Sequence, residues 1–501
     1  MRFPRGSGIL LHPTSLPGRF GCGDFGDVSI HFIEWMLVAG QKVWQVLPLE
    51  PAGYGNSPYM SHSAFAGNPL FIGFEELIAK GWLSGSDLDP VPAFPQQRVD
   101  YVSVIPYRLE RLRRASQRFF ARPNAPELRD FESFCRGQKA WLEDYSLFQA
   151  LNDRFHGNAW SAWERGLAGR KPEALKRARK DLADENRFWK FTQWLFYRQW
   201  GRVKKYANDR GISIMGDIPI FVSHHSADVW SHPDLFFLDK SGRPKFVAGV
   251  PPDYFSATGQ RWGNPLYRWS NMEKDGYRWW VDRLRRTFAL VDIARIDHFR
   301  GFAGYWEIPA SEKTAVRGRW VKGPNAKLFK AVQKQLGKLP IIAEDLGVIT
   351  PDVVALRDKF EFPGMKVLQF AFGEGPENAF LPHRYERNCV VYTGTHDNDT
   401  TRGWLATATE REKAFLHKYC GSSGEETHID LIRLASRSVA DLAIFPFQDV
   451  LGLGTEARMN FPGTVHGNWE WRFSWDQVKP EHALRMYEIA ALYGRANPDR
   501  L

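Results

Sequence analysis

Eight short apolar runs recur along this 501-residue chain, each followed by glycine, proline or a polar residue. Helical patterns lie between most of these runs, for example over 282–290, 326–336, 351–359 and 426–439. Strands that alternate with helices are typical of βαβ units and a parallel sheet. Eight such units predict an α/β fold, a closed (β/α)8 TIM barrel rather than an open sheet. The predicted strands are 8–11, 43–47, 213–215, 291–296, 341–343, 365–370, 389–392 and 442–445.

The uneven spacing of the runs predicts two insertions into a single catalytic barrel that spans 1–501. Residues 70–210 hold a Pro-rich stretch and then charged helical patterns, which indicates an inserted, mostly helical subdomain. Residues 223–280 are rich in Pro, Gly, His and Trp, and we expect a loop-rich subdomain over the active-site cleft. The 55 residues after 446 have largely helical patterns, so no C-terminal β-sandwich domain is expected.

Three acidic residues, Asp297, Glu344 and Asp397, each stand just after an apolar run. This position corresponds to the carboxyl rim of a parallel strand, where barrel enzymes place their chemistry. Arg295 and Asp297 share one strand face, and we expect the arginine to lower the pKa of the aspartate and keep it ionised. Glu344 and Asp345 face opposite ways, and the longer Glu344 is predicted to point into the site. Two converging carboxylates suffice to cleave a glycosidic bond.

Structural explanations compete with this interpretation, because Arg295–Asp297 could be a structural ion pair and Glu344 could cap a helix. Zinc ligation by His298, His396 and Asp397, or by a pair of adjacent histidines at 224 and 225, is disfavoured because no HExxH spacing occurs. A Ser hydrolase would need a Gly-x-Ser-x-Gly elbow, and a nucleotide-binding sheet would need a Gly-rich phosphate loop. The sequence contains neither motif.

Composition and charge exclude several classes of protein. The net charge of +10 invites a nucleic-acid partner, but the basic residues are dispersed and no nucleic-acid-binding motif accompanies them. Four widely spaced cysteines without a CxxC pair suggest reduced thiols in the cytoplasm. Because no run of 18 apolar residues occurs, we expect no membrane association. The 20 Trp and 36 Phe fit a large core together with platforms on which sugar rings stack.

Long sequence blocks resemble the 4-α-glucanotransferases called amylomaltase or disproportionating enzyme, a branch of the α-amylase clan. The resemblance covers most of the chain except the helical insertion. It rests on these motifs: GILLHPTSLPG (8–18), WQVLPL (44–49), GNSPY (55–59), SAFAGNP (63–69), GDIPIFV (216–222), GVPPDYFSATGQRWGNP (249–265), RIDHFRG (295–301), AEDLG (343–347), GTHDN (394–398), FQDVLGLG (447–454) and RMNFPG (458–463).

The resemblance implies roles for individual positions. Asp297 would be the nucleophile, Glu344 the general acid/base and Asp397 the stabiliser of the transition state. It also implies a substrate-binding set that comprises partners of the acids, aromatics of the donor site and residues of two loops over the cleft. This set is Tyr59, Asp217, Gln260, Trp262, Arg295, His298, Phe370, His396, Arg458 and Asn460.

The activity implied by the resemblance is transfer of α-1,4-glucan segments to the 4-hydroxyl of an acceptor glucan or glucose, through a covalent glucosyl-enzyme. Maltooligosaccharides, amylose and glucose would be its partners, no cofactor or metal would be needed, and the protein would be a monomer or a homodimer. Two alternatives stay open. One is a retaining α-glucan hydrolase of the same clan, and the other is a glucan-binding protein without catalysis.

Overall fold

The computed structural model of the protein describes residues 2–122, 126–252 and 256–497. Twelve short strands lie within these ranges, and eight of them correspond to the predicted apolar runs and have mostly buried side chains. They are β1 (Gly6–Leu10), β2 (Val43–Gln45), β3 (Ser213–Pro219), β4 (Phe246–Val250), β5 (Gln260–Pro265), β6 (Ile293–Asp297), β7 (Gly304–Pro309), β8 (Arg319–Lys322), β9 (Ile341–Ala343), β10 (Gly364–Val367), β11 (Cys389–Tyr392) and β12 (Leu442–Pro446).

Eight of these strands form one parallel sheet in the order β10-β11-β12-β1-β2-β3-β6-β9. The sheet curls into a nearly closed barrel, and the predicted (β/α)8 fold is confirmed. The remaining seam lies between β9 and β10, where the Ala343 N–H donates to the Pro363 carbonyl at 2.9 Å. Asp345 fastens the same seam, since it accepts the Met365 N–H at 2.7 Å and Arg357 at 2.6 Å. As predicted, Asp345 therefore points away from the site and binds a neighbouring helix.

Helices follow most barrel strands, and several more fill residues 70–210. None of the helices in the described ranges combines the length and the apolar character needed to cross a membrane. The helices are α1 (Asp27–Val38), α2 (Glu75–Ala79), α3 (Tyr101–Phe120), α4 (Pro126–Gly137), α5 (Lys139–Arg154), α6 (Arg165–Ala168), α7 (Pro172–Asp181), α8 (Ala183–Asn208), α9 (Ala227–Ser231), α10 (Trp269–Lys274), α11 (Arg278–Leu290), α12 (Ala326–Leu336), α13 (Pro351–Lys359), α14 (Thr401–Thr407), α15 (Glu410–Cys420), α16 (Thr427–Arg437), α17 (Phe447–Val450) and α18 (Pro480–Leu492).

A second sheet, which the sequence analysis did not predict, stands beside the barrel. It is antiparallel, and its strands lie in the order β5-β4-β7-β8. Two of them, β4 and β5, come from segment 223–280, so this segment contains more regular structure than its composition indicates. Residues 253–255, between β4 and β5, lie outside the described residues.

One hydrophobic core runs from the barrel into the helical insertion. The ring of Trp44 on β2 lies 6.2 Å from that of Trp200 on α8, and Trp200 in turn packs against Phe25 at 4.7 Å. The indole N–H of Trp200 donates to the Leu290 carbonyl at 2.8 Å, which satisfies its polar atom inside the core. Most of the tryptophans serve this core, and the insertion is therefore packed onto the barrel wall.

Two arginines bind backbone carbonyls at the end of the barrel opposite the strand carboxyl termini. Arg495 is fully buried, and its guanidinium donates to five carbonyls, those of Gly6, Ser436, Ser438, Ala440 and Asp441. Arg5 donates to three of the same carbonyls and to that of Tyr493. This arginine clamp ties β1, the segment before β12 and the segment after α18 together.

We expect Arg495→Met to destabilise the fold by about 3–5 kcal/mol, because it leaves buried carbonyl groups without hydrogen-bond donors. Chemical unfolding monitored by circular dichroism measures this loss. Arg129→Met, which removes an exposed arginine of α4, is the control and should change the unfolding free energy by less than about 0.5 kcal/mol. Equal stability of the two variants would contradict the importance of the clamp.

Candidate active site

The register of neighbouring strands brings three charged side chains into the barrel mouth. Asp217 on β3 pairs with Arg295 on β6, and Pro219 pairs with Asp297. Because residues two apart share a strand face, Arg295 and Asp297 both point to the barrel axis. The Arg295 guanidinium lies between the two carboxylates and donates to Asp217 Oδ2 at 2.6 Å and to Asp297 Oδ1 at 2.9 Å.

Asp217 also connects this group to a loop after β2. The Tyr59 hydroxyl donates to Asp217 Oδ2 at 2.7 Å, so one carboxylate oxygen accepts from both Arg295 and Tyr59. The side chains of Asp217 and Arg295 are buried, whereas that of Asp297 is 31% exposed. Asp297 is thus the member of this group that solvent or a ligand can reach.

Glu344 follows β9 directly and lies beside Asp297. Ile296 pairs with Ala343, so the next residues in register are Asp297 and Glu344. The Glu344 carboxyl group accepts the His298 N–H at 2.7 Å and the Leu346 N–H at 2.9 Å. His298 adopts a left-handed φ of 54°, unusual for a residue with a side chain, and this turn directs its N–H to Glu344.

The pKa values of the two neighbouring acids are both raised, but to different values. Burial raises the pKa of Glu344 to about 8, with a further contribution from the negative charge of Asp297. The pKa of Asp297 rises to about 6, because burial, Asp217 and Asp397 outweigh the opposing effect of Arg295. The predicted lowering of the Asp297 pKa by Arg295 is therefore wrong in its net direction. At neutral pH one acid is ionised and the other protonated.

Asp397 approaches the same mouth from the loop after β11. Its Oδ1 accepts the Asn460 side-chain amide at 2.6 Å and lies 3.4 Å from His396 Nε2. Arg458 donates to the backbone carbonyl of Asp397 at 2.7 Å, and to that of Asn460 at 2.8 Å. Asp397 is half exposed, and segment 456–463 holds it in place from one side.

Aromatic rings line the mouth on two sides. Tyr59 stacks on His396, with ring centroids 5.1 Å apart, and both rings contact Trp469. Across the site, Trp262 on β5 meets the His298 ring edge-on at 4.8 Å. Burial lowers the pKa of His298 to about 3 and keeps this imidazole neutral.

The two remaining predicted residues lie next to these elements. The Gln260 side chain accepts the Trp262 indole N–H at 3.1 Å. Phe370 lies in the single 3-10 turn after β10 and packs edge-on against Phe380 at 5.5 Å. Thus contacts join the predicted residues into one site, with Phe370 at the end of a barrel strand that borders it.

The histidines considered for zinc have other bonds. His225 accepts the Trp160 N–H at 3.2 Å and shares a 2.8 Å bond with Asn152, while His224 binds the Gly242 carbonyl at 2.8 Å. Within the described ranges, no group of three or more His, Cys, Asp or Glu side chains is arranged to hold a metal ion. The His225 side chain thus connects segment 223–280 to the helices of residues 70–210, and that of His224 forms a bond within segment 223–280.

Known proteins are similar to this chain in both sequence and architecture. A family model described as 4-alpha-glucanotransferase matches residues 11–478. The chain belongs to the 4-alpha-glucanotransferase family. It is 52% identical to the 4-alpha-glucanotransferase of Thermus thermophilus over 98% of this chain and 99% of that protein. The Synechocystis 4-alpha-glucanotransferase is 51% identical over 98% of both chains.

A solved structure has the same fold as this chain. The amylomaltase from Streptococcus agalactiae in complex with acarbose superposes with a TM-score of 0.96 at 37% identity, over 98% of this chain and all of that one. The barrel and the helices around it are therefore the architecture of the family.

Sequence reasoning missed two residues of the site. Trp469 packs against both Tyr59 and His396, although it lies beyond the segment considered for the cleft. Asn398 accepts the backbone and hydroxyl groups of Thr395, at 2.9 and 2.8 Å, and so shapes the turn that carries Asp397. Asn398 stands in the GTHDN block, where its residue type is itself typical of a turn, whereas Trp469 required the tertiary fold.

We expect Glu344→Gln to make the pH dependence of stability weaker. The folded pKa of about 8 lies above the ordinary value of 4.5, so Glu344 lowers folded stability progressively as pH rises from about 4.5 to about 8. The variant lacks this loss. Its Tm should rise relative to the wild type across that interval and level off above pH 8, on top of a pH-independent cost for one lost acceptor.

Differential scanning calorimetry between pH 5 and 9 measures this difference. Glu481→Gln, which removes an exposed glutamate from the first turn of α18, is the matched control. A Tm difference between Glu344→Gln and wild type that is the same at every pH would contradict the raised pKa.

Proposed function

We propose that this member of the 4-alpha-glucanotransferase family transfers α-1,4-glucan segments by a retaining double displacement, with Asp297 as nucleophile and Glu344 as acid/base. The observation that carries the assignment is the register of β6 and β9, which sets Asp297 and Glu344 side by side at the barrel mouth. Two neighbouring strand-end acids have pKa values of about 6 and about 8, so at pH 7 one is a carboxylate and the other a carboxylic acid. Every glycosidase acid pair of this kind requires such a division of protonation states, and the adjacent positions of the two acids support a retaining pair.

The reaction follows from these states. Glu344 donates its proton to the glycosidic oxygen, the bond from that oxygen to the anomeric carbon breaks, and Asp297 attacks the same carbon to form a glucosyl ester. Glu344, now a carboxylate, takes the proton of an acceptor 4-hydroxyl, and the new glycosidic bond releases Asp297. Asp397, held by Asn460 and close to His396, stabilises positive charge on the sugar in the transition state.

The remaining predicted residues would position the sugar. Arg295 fixes Asp297, Asp217 fixes Arg295, and Tyr59 with Phe370 would line the donor side. Trp262 and Gln260 would face the acceptor side. Arg458 orients the loop that carries Asp397 through its bond to the backbone.

Transfer needs protection of the ester from water, which is present at about 55 M. Two segments support this protection: β5 brings Trp262 onto His298, and 456–463 binds Asp397 through Asn460. We therefore propose that segments 249–265 and 456–463 cover the cleft, with 223–280 as an inserted subdomain on the barrel of 1–501. The part of this cover at 253–255 lies outside the described residues. The second inserted subdomain is 70–210.

Finer features are proposals of the same kind. Maltooligosaccharides and amylose would be donors, and short glucans or glucose would be acceptors. The chain would act as a monomer or homodimer without a cofactor. All four cysteines are unpaired thiols, which supports the reducing cytoplasm as the compartment.

Incubation with pure maltotriose tests the function. We expect glucose together with maltodextrins longer than the substrate, separated by anion-exchange chromatography. Glucose and maltose alone would indicate a hydrolase, and unchanged maltotriose would indicate a binding protein. Asp297→Asn is the control for catalysis: it should lower turnover by at least about 10³-fold while oligosaccharide binding by calorimetry persists. Near-normal turnover in this variant would refute the nucleophile.

The activity should have a bell-shaped pH profile. Asp297 must be ionised and Glu344 protonated, so kcat/KM should fall below about pH 6 and above about pH 8. Initial rates of glucose release from maltotriose between pH 4.5 and 9.5 measure both limbs. A rate that stays constant up to pH 9.5 would exclude Glu344 as the acid.

A further inference from the structure

Trp320 differs from every other tryptophan of the chain in its exposure. The described ranges contain all 20 Trp, and Trp320 alone exposes more than a third of its surface, 43%. It lies on β8, at the edge of the second sheet. An exposed indole keeps apolar surface in contact with water, which is unfavourable unless a ligand or a partner covers it.

The exposed ring of Trp320 is held in one orientation. It pairs across the strands with Trp306 on β7, with ring centroids 5.2 Å apart and planes at 67°. The Arg300 guanidinium lies 3.8 Å from the Trp320 centroid. Arg300 is itself buried and donates to the Val348 carbonyl. A fixed aromatic plate loses little conformational entropy when a ligand stacks on it.

Continuous contacts connect this plate to the acid/base. Val348 lies four residues after Glu344, in the loop whose Leu346 N–H binds the Glu344 carboxyl group. Val348 is 56% exposed, and its carbonyl holds Arg300 under Trp320. This chain of contacts therefore joins the buried Glu344 to the exposed surface formed by Val348 and Trp320.

The reaction mechanism indicates on which side of the scissile bond this surface lies. A general acid stands on the leaving-group side of the scissile bond, and the acceptor enters from the same side. The reacting 4-hydroxyl of an acceptor is at Glu344, and the other sugar units of that chain extend away from it. A surface that leads outward from Glu344 consequently lies on the acceptor side.

We propose that Trp320, with Arg300 behind it and Val348 beside it, is a remote acceptor site on which an α-1,4-glucan stacks a pyranose ring. The inference rests on the proposed transfer activity and deepens it. A long acceptor reaches the plate, and glucose does not. Trp320 therefore sets acceptor-length preference without taking part in bond cleavage.

The test is the Michaelis constant for a series of reducing-end-labelled acceptors, from glucose to maltoheptaose, with amylose as donor. For Trp320→Ala we expect KM to rise about 5–10-fold for the longest acceptors and to stay unchanged for glucose, with kcat unaltered. Trp320→Phe, which keeps an aromatic face, should restore most of the affinity. The length at which the effect begins reports the distance in sugar units.

A control and a second measurement separate this site from other roles. Leu492→Ala, which removes another exposed apolar side chain at the end of α18, should leave KM unchanged for every acceptor. In the intact protein, N-bromosuccinimide should oxidise Trp320 first, and maltoheptaose should protect it while glucose does not, as mass spectrometry of peptides detects.

Three outcomes would overturn the inference. They are the same change in KM for glucose and long acceptors, no change for any acceptor, and a Trp320-dependent dimer in analytical ultracentrifugation that leaves KM unaffected. Each is distinct from failure of the proposed function, since in that case the wild-type protein itself would transfer nothing to any acceptor.

Discussion

The Arg295 guanidinium is the interaction on which the site depends. Strand register places it between Asp217 and Asp297, and the barrel buries it where water cannot solvate it. A buried cation of this kind requires both carboxylates, and the carboxylates need the cation in turn. Tyr59 joins through Asp217, so a loop after β2 is fixed by a charge on β6. The geometry of Asp217, Arg295 and Asp297 is in this way part of the barrel interior, whereas Asp397 is held by segment 456–463.

Burial, rather than the nearest charge, decides how the acids ionise. Arg295 opposes the rise in the pKa of Asp297, yet desolvation and the negative charges of Asp217 and Asp397 prevail. Glu344 shifts further, because it lies deeper and beside Asp297. The two groups interact, so their titration belongs to the pair. The fold thus places two similar carboxyl groups in different protonation states through their burial and through the charges beside them.

The sequence predicted the barrel well because its strands carry local signals. The runs 341–343 and 389–392 match β9 and β11, and the helical patterns 326–336 and 351–359 match α12 and α13. The second sheet escaped prediction because β4 pairs with β7, far along the chain, and β5 contains Gly263 and Pro265. The net pKa shift of Asp297 escaped for a related reason. It depends first on burial in the folded barrel and then on charges such as that of Asp217, a residue eighty positions earlier that only the strand register brings near.

The arginine clamp has a consequence for biosynthesis. β1 is translated before the other barrel strands, yet one of its edges pairs with β12, and Arg495 binds the Gly6 carbonyl. That edge stays open until β12, which follows the other barrel strands in the sequence, has been translated. Closure of the barrel is therefore a late folding step with a high entropic cost of loop closure. An unpaired strand edge in the nascent chain can pair with other chains, so we expect chaperones to assist folding during translation.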